Sequence, residues 1–287
     1  MELSDLRVFI QVVDSGGISA AAEKLHRVPS NVTARIKSLE RKMGKQLFLR
    51  DKNRLRISPA GELLLPYAKR MLQMAQETLD AISDQAPSGE LRVGAMEAVA
   101  ATRLVEPLMR FHKNCPQVSL EIKTAPTGNL ISQVLSGDID VAFVADPQSD
   151  ERLEQLAVFA EKLVIVSDLN YPKIQCAADL NTDTTFMGFN ASCAYRNKLT
   201  QWAKDGGNYI KVIEINSYHT LLSCVAGGMG IGLVPLALLD NYPFAQSLQI
   251  HPISASWSDS VTHFIWRKDA FKPSIQAFAK CIEKNIF

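Results

Sequence analysis

At 287 residues with 47% hydrophobic side chains, the chain can bury a sizeable core and divide into two or three domains. Its formal net charge is only +1, yet residues 1–60 hold 12 Lys or Arg against 6 Asp or Glu, leaving 19 against 24 for the rest. That division fits a small module that meets a polyanion, joined to a larger acidic body, and argues against a uniformly nucleic-acid-coating or membrane-embedded chain.

The first segment, "MELSDLRVFIQVVDSGG", carries acids where a secretory leader carries lysines. No apolar run approaches the roughly 20 residues of a membrane span. A cytoplasmic protein without membrane contact is the expectation. Cys115, Cys176, Cys193, Cys224 and Cys281 are scattered, with no C-x-x-C pair. That pattern predicts reduced thiols instead of a disulfide framework or a structural zinc site.

In chain order, Leu3, Leu6, Phe9, Ile10 and Val13 recur at helical spacing and stop at Gly16-Gly17. Ser19 reads as the N-cap of a short helix, "AAAEKL", whose alanines permit close helix crossing. After a break at His26-Arg27, Val32, Ile36, Leu39 and Met43 form one apolar stripe at spacings of four, three and four. Off that stripe lie Ser30, Asn31, Thr33, Arg35, Lys37 and Arg41. A buried stripe backed by such donors suits a recognition helix in a major groove, and equally an ordinary amphipathic surface helix. The next segment, "GKQLFLRDKNRLRIS" (44–58), reads as two short strands around a basic turn at Asp51-Lys52-Asn53, with Arg50, Arg54 and Arg56 along it. Such a ribbon is a wing that reaches flanking phosphates or the minor groove.

From Leu3 to Gly61 the chain resembles the winged helix-turn-helix of LysR-type transcriptional regulators. The resemblance rests on "LRVFIQVVDSGGISAAAEKLH", "VTARIKSLE" and "GKQLFLRDKNRLRISPAG". That family usually has Ser-Gln where this chain has Val28-Pro29, so the family's cap and one DNA-reaching side chain are missing. Pro29 remains a favoured first helical residue, because its absent N–H would go unpaired there. The expected DNA-contacting set is therefore Arg27, Pro29, Ser30, Asn31, Thr33, Arg35, Lys37, Arg50 and Arg54. Residues 1–58 make the DNA-binding domain, facing double-stranded DNA with two half-sites related by twofold symmetry.

"PAGELLLPYAKRMLQMAQETLDAIS", from Pro59, places Leu64, Leu65, Ala68, Met71, Leu72, Ala75, Leu79 and Ile82 on a stripe some six turns long. So long a stripe needs a partner, either the chain's own body or a second copy. Pro66 predicts a kink, and "QAPSGE" (85–90) a hinge. Residues 59–89 thus form a linker; the similar helix of LysR-type regulators pairs antiparallel with a second subunit. The resemblance implies a homotetramer built as a dimer of dimers.

Beyond the hinge, strands alternate with helices: "LRVGAM" from Leu91, "VSLEIKT" from Val118, "VAFVAD" from Val141, "KLVIVSD" from Lys162, "TFMGFN" from Thr185, "IKVIEIN" from Ile210, "GIGLVP" from Gly230 and "VTHFIWRKD" from Val261. "PSIQAFAKCIEKNI" is a closing helix. Alternation of this kind predicts parallel α/β sheets. The resemblance implies two Rossmann-like α/β subdomains, arranged like a periplasmic binding protein with a small effector between them: residues 90–162 with 264–287, and residues 163–263. Ligands of such sheets meet the loops after the strands' carboxyl ends. Those loops nominate Met96, Glu97, Ala98, Thr127, Asn190, Ser192, Cys193, Ser217 and His219 as effector-binding. Many relatives have Ser or Thr where Ala98 stands. Glu97 either pairs with a cationic effector such as an amine or caps its own helix start and faces water, and the second reading is preferred. Cys193, at a predicted helix start, is either an oxidant sensor or, as is commoner, inert. Tyr195 and Arg196 anchor that helix or line the cleft.

"GGMGIG" (227–232) lacks dinucleotide-loop spacing and reads as a tight helix-to-strand turn. The histidines share no metal-ligand spacing, and no G-x-S-x-G or comparable nucleophile motif occurs. The sequence thus predicts an effector-modulated, non-enzymatic regulator without cofactor or metal, with DNA, a small molecule, its own copies and RNA polymerase as candidate partners. The alternative is a cytoplasmic α/β enzyme with a basic N-terminal dimerisation module.

Overall fold

A computed structural model describes residues 1–51, 54–82, 86–181, 183–240, 242–270 and 272–283. The chain divides into two compact units, one built on Met1–Asp84, the other on Gln85–Leu135 and Ile139–Phe287.

The first unit opens with α1 (Leu3–Asp14), α2 (Ile18–Lys24) and α3 (Pro29–Met43). Leu6, Phe9, Val12, Ala21, Ala22, Val32, Ile36 and Leu39 interlock as its core. Ser19 is not the cap of α2. Gly16 turns left-handed at φ 68° and the helix begins at Ile18, with Gly17 as its cap residue. Ile18 thereby reaches the core, while Ser19 is exposed in the first turn. The break ahead of α3 is a Schellman closure: His26 N–H donates to the Glu23 carbonyl and Arg27 N–H to that of Ala22. His26 holds the left-handed position at φ 52°, where a non-glycine residue costs about 1–2 kcal/mol. Pro29 then starts α3 after the extended Val28, and Gly44 at φ 66° ends it.

The wing is β1 (Phe48–Asp51) paired antiparallel with β2 (Arg54–Ile57); Lys52 and Asn53 of its predicted turn lie outside the described residues. Glu40 of α3 accepts the N–H groups of Leu47 and Phe48 at 2.8 and 3.3 Å, tying helix to wing. Ser58 caps α4 (Pro59–Ile82): its hydroxyl donates to the Gln46 carbonyl and accepts from Gly61 N–H. A Cβ on Gly61 would come within 2.4 Å of the Leu47 carbonyl oxygen, so only glycine lets α4 approach the wing this closely. α4 runs on through Pro66 as one element of 24 residues. Its predicted stripe is buried only in part, with Met71, Leu79 and Ile82 exposed. Leu64, Leu65, Ala68 and Leu72 pack into the first unit's own core. Leu63, Tyr67, Met71 and Met74 form a second, exposed row.

The second unit contains, in order, β3 (Gly89–Ala95), α5 (Glu97–Thr102), α6 (Val105–Asn114), β4 (Val118–Thr124), α7 (Thr127–Ser136), β5 (Val141–Ala145), β6 (Leu153–Asp168), β7 (Thr185–Gly188), α8 (Ala194–Asp205), β8 (Lys211–Glu214), α9 (Tyr218–Ala226), β9 (Gly232–Pro235), α10 (Leu236–Leu239), β10 (Leu248–Pro252), α11 (Ala255–Ser258), β11 (Asp259–Arg267) and α12 (Pro273–Glu283). Only part of its sheet is parallel, as the alternation predicted: β3 pairs parallel with β4 and β5. The rest departs from that expectation. β6 is a 16-residue strand, antiparallel to β11 over Leu153–Lys162 and to β9 and β10 over Leu163–Asp168. One strand serving both halves must run continuously through both, and its return partners are antiparallel for that reason. The ribbon of β7 and β8 is parallel, extended by a bridge from Phe186 to Ile231. "GGMGIG" joins α9 to β9 as a turn, and Gly230 packs so closely on β7 that a Cβ would come within 2.2 Å of the Thr185 carbonyl oxygen.

Phe111, Phe143, Phe264 and Phe278 stack edge-to-face in the core shared by β5, β11, α6 and α12, with centroids 5.0–6.0 Å apart. The buried Asp140 ties this half together. It accepts from Arg92 N–H, Nε and Nη2 at 2.8, 3.2 and 2.9 Å, and pairs with Lys272 at 2.9 Å. Burial alone would raise its pKa; the bonds and charges of Arg92 and Lys272 outweigh burial and hold it below its ordinary value. Among the described residues no helix is long and apolar enough to cross a membrane.

Asp140→Ala should therefore lower the unfolding free energy by about 3–5 kcal/mol, because it removes the buried carboxylate that both Arg92 and Lys272 grip. Since its folded pKa lies below the ordinary 3.8, the carboxylate's contribution is complete above that pH and fades as pH falls toward the folded value. Urea titrations between pH 7 and 3 should show an acid-side slope in the native chain that is shallower in Asp140→Asn, the remainder coming from other carboxylates of lowered pKa such as Asp5.

Candidate functional site

Two surfaces gather the polar chemistry, one on each unit. On the first, α3 turns Val32, Ile36 and Leu39 inward and leaves Ser30, Asn31 and Lys37 exposed. Pro29 and Arg27 are exposed beside them, and the Arg27 guanidinium donates to Asn31 Oδ1 at 3.3 Å. The Thr33 hydroxyl spends its proton on the Pro29 carbonyl at 2.9 Å, so it meets a ligand as an acceptor. Arg35 differs from the rest of the predicted set. It donates to Ser4 Oγ at 2.9 Å and pairs with Asp5 at 3.2 Å. Lys42 pairs with the other oxygen of Asp5 at 3.2 Å, and Glu2 N–H donates to that oxygen too. Burial works to raise the Asp5 pKa, but Lys42, the Glu2 N–H and Arg35 together hold it below the ordinary range. Arg35 thus bolts α3 to α1 from behind. Arg50 and Arg54 take register positions in the hairpin, opposite Leu55 and Asp51; their side chains lie outside the description.

On the second unit, the strand-to-helix loops converge at the carboxyl ends of β3, β4, β7 and β8 around a cavity of about 210 Å³. Four of the nine predicted residues line it: Met96, Glu97, Thr127 and Cys193. Ala98 is instead buried among Val164, Tyr218 and Leu222. It begins the inner face of α5, which turns away from the loop. Asn190 accepts from Ser192 N–H at 2.9 Å and so shapes its loop; Ser192 lines a wider, open recess with Thr127, Asp146 and Lys198. His219 is exposed one residue into α9, its ring edge-on to Tyr242. Ser217 caps α9 without lining the cavity. The loop residues did not single out Thr124, Ala125, Pro126, Phe189, Asn216 and Tyr218, which also form the wall, and Tyr195 joins them. The available signal was the aromatic residues flanking the loops after β7 and β8, Phe189, Tyr195 and Tyr218.

Glu97 does not cap its own helix start and face water, the reading preferred from the sequence. Its two oxygens accept Tyr218 N–H, the first N–H of α9, at 3.1 and 3.3 Å. It therefore caps a helix 121 residues further along the chain. Burial raises its pKa, and the bonds from Tyr218 N–H and the Ser217 hydroxyl only partly offset that. Arg103, just past α5, grips the buried Glu161 of β6 through two bonds of 2.9 and 3.1 Å and so fixes α5 to the central strand. The Cys193 thiol lies at a helix start, yet burial pushes its pKa up more than the N–H groups of Arg196 and Tyr195 pull it down. That direction favours the inert thiol, the commoner of the two readings. Tyr195 is 2% exposed, and its buried hydroxyl has no partner at bonding geometry among the described residues. Its neighbour Ser260 donates to Asp146 instead. Among the described residues no cluster of His, Cys, Asp or Glu could hold a metal ion.

Comparison with known proteins finds two family models. "Bacterial regulatory helix-turn-helix protein, lysR family" matches residues 3–62, and "LysR substrate binding domain" matches residues 84–286. The chain is 36% identical over 288 residues to the HTH-type transcriptional regulator CzcR of Bacillus anthracis, covering 99% of this chain and 98% of that one. It is 33% identical over 281 residues to the HTH-type transcriptional regulator GltR of Bacillus subtilis, covering 97% and 95%. Among solved structures, full-length OxyR from Pseudomonas aeruginosa superposes with a TM-score of 0.77 at 22% identity, covering 99% and 95%. CbnR complexed with its target DNA gives 0.69 at 22%, covering 99% and 100%. At that identity the structures share the fold.

A buried thiol of raised pKa should react slowly. With iodoacetamide at pH 8, the exposed Cys176 should alkylate at least about tenfold faster than Cys193 in the native chain. Mass spectrometry of timed digests reads the two rates, and equal rates would return Cys193 to the sensor reading.

Proposed function

The chain belongs to the LysR family of bacterial helix-turn-helix regulators, and on that premise we propose how its parts divide the work. It is a DNA-binding transcriptional regulator with an effector-binding domain, which sets aside the enzyme alternative. In our reading, residues 1–58 bind DNA, 59–89 link and dimerise, and 90–162 with 264–287 and 163–263 form the two halves of the effector domain. A bacterial chain that acts on the chromosome works in the cytoplasm.

The observation that carries the DNA reading is the face of α3. Ser30, Asn31 and Lys37 stand exposed on the side opposite the buried Val32, Ile36 and Leu39. Asn31 is held by Arg27 in a pose from which an amide can meet an adenine edge. Arg27, Lys37, Arg50 and Arg54 supply phosphate contacts, with Ser30, Pro29 and Thr33 completing the approach. Arg35 acts through α1 as a positioning residue. The exposed row Leu63, Tyr67, Met71 and Met74 on α4 is the dimer seam, since an apolar stripe of that length is costly in water. Twofold pairing requires two half-sites in the operator. An effector shifts operator binding only by preferring one arrangement of the two cleft halves.

Fluorescence anisotropy on the DNA upstream of the chain's own gene, with an unrelated fragment as control, tests the interface at two salt concentrations. Lys37→Ala should weaken both fragments alike and reduce the salt slope by about one, whereas Asn31→Ala should cost about 1–3 kcal/mol and act on the selective fragment. Unchanged affinity and selectivity in both variants would move the contacts off α3. For the seam, Met71→Glu should convert a dimer or larger assembly to a smaller species in light scattering, with helicity retained. An unchanged mass would place the interface elsewhere.

A further inference from the structure

The cavity between the strand ends carries one side-chain carboxylate and, among the described residues that line it, no Lys, Arg or His. An anionic guest would be enclosed beside Glu97 with no cation to balance it, and an uncompensated buried charge is costly. A cationic guest meets the opposite situation. Both Glu97 oxygens share a single backbone N–H, and a carboxylate offers about four lone-pair sites, so acceptor capacity remains. The rings of Phe189 and Tyr218 stand 4.8 Å apart, inclined by 50°, on the same wall. Aromatic faces attract cations, most strongly where water is excluded. Tyr195 adds a buried hydroxyl that has no partner at bonding geometry among the described residues. The remaining wall, from Met96 through Ala125, Pro126 and Cys193, is largely apolar. The size is restrictive. An apolar cavity of roughly 150 Å³ accommodates benzene, so about 210 Å³ holds one ring with a short side chain.

We propose that this cleft binds a small primary amine with an apolar body, its ammonium paired with Glu97 and set against the Phe189 and Tyr218 rings. The proposal rests on the reading of the cleft as the effector site and names the chemical class that site selects. Glu97 then has two tasks in sequence. In the empty cleft it caps α9 across the gap; with an amine present it keeps that bond and gains an ion pair. The guest therefore strengthens an existing connection between α5 and α9 and favours the arrangement in which they face each other.

The test uses the full chain with methyl-labelled methionine, because the Met96 side chain lines the cavity and its resonance reports occupancy. Benzylamine, benzoate and benzyl alcohol are matched probes of positive, negative and zero charge. Benzylamine should shift the Met96 signal and bind at least about tenfold more tightly than benzoate. Glu97→Gln retains an acceptor for Tyr218 N–H, so the cleft should stay formed. In that variant benzylamine should weaken about tenfold while benzyl alcohol changes by no more than about twofold. Benzoate binding as tightly as benzylamine, or benzylamine binding that ignores Glu97→Gln, would overturn the amine and leave the cleft as a ligand site. No shift at Met96 with any probe would overturn the amine and remove support from the cleft as an effector site as well.

Discussion

The effector domain depends on one strand. β6 pairs with β11 as far as Lys162 and with β9 and β10 from Leu163 onward, so each half's sheet is completed by the same piece of backbone. A strand cannot bend sharply without breaking its ladder, and this shared strand therefore holds the carboxyl ends of β3 and β4 facing those of β7 and β8. Glu161 sits on β6 next to the change of partners and receives Arg103 in a two-pronged bond. Through that grip the short helix α5, with Glu97 at its first turn, takes its place from the central strand.

A comparable economy governs the N-terminal module. Its basic excess invites the view that every cation faces a polyanion, yet the structure divides the charges by task. Asp5 draws Arg35 and Lys42 inward, while Arg27 and Lys37 remain on the open face. The buried carboxylate thus converts two potential phosphate contacts into the bolt that sets the angle of α3 against α1. Glu40 performs the matching service for the wing through the Leu47 and Phe48 N–H groups, and Ser58 for α4. The Glu40 and Ser58 joints are each made by one polar side chain satisfying backbone groups that would otherwise go unpaired. The Val28-Pro29 start fits the same scheme, because a proline ring needs no cap for a missing N–H.

In the cleft, the same principle makes Glu97 both a structural and a recognition residue. Its carboxylate occupies the free end of α9, where the helix offers an N–H and a partial positive charge. Whatever enters must therefore contend with a carboxylate already in place, in a wall whose other described side chains carry no formal charge. Cys193 contributes bulk and an uncharged thiol, because burial dominates its pKa.

Local chemistry was open to inspection in the sequence. The stripe Val32, Ile36, Leu39 needs only helical period, the end of α3 at Gly44 only glycine's left-handed freedom, and the strands around Val93, Phe143 and Ile265 only β-branched and aromatic runs. The LysR-type motifs carried the family. What the sequence could not supply were relations between residues far apart in it. Ser19 yielded the capping position to Gly17 because the core claimed Ile18. Leu64, Leu65, Ala68 and Leu72 of α4 turned inward while Leu63, Tyr67, Met71 and Met74 turned outward, because α1 occupied one side only. The residues of "LEQLAVFAEK" joined "LVIVSD" in one strand because both halves needed it. Arg35 turned to α1 because Asp5 lay 30 positions earlier, and Glu97 acquired α9 because the loops after β3 and β8 meet at one cavity. Periodicity and caps are set by neighbours within a few residues; charge pairing and cavity walls are set by whichever distant segments the core brings together, and only the tertiary structure decides those.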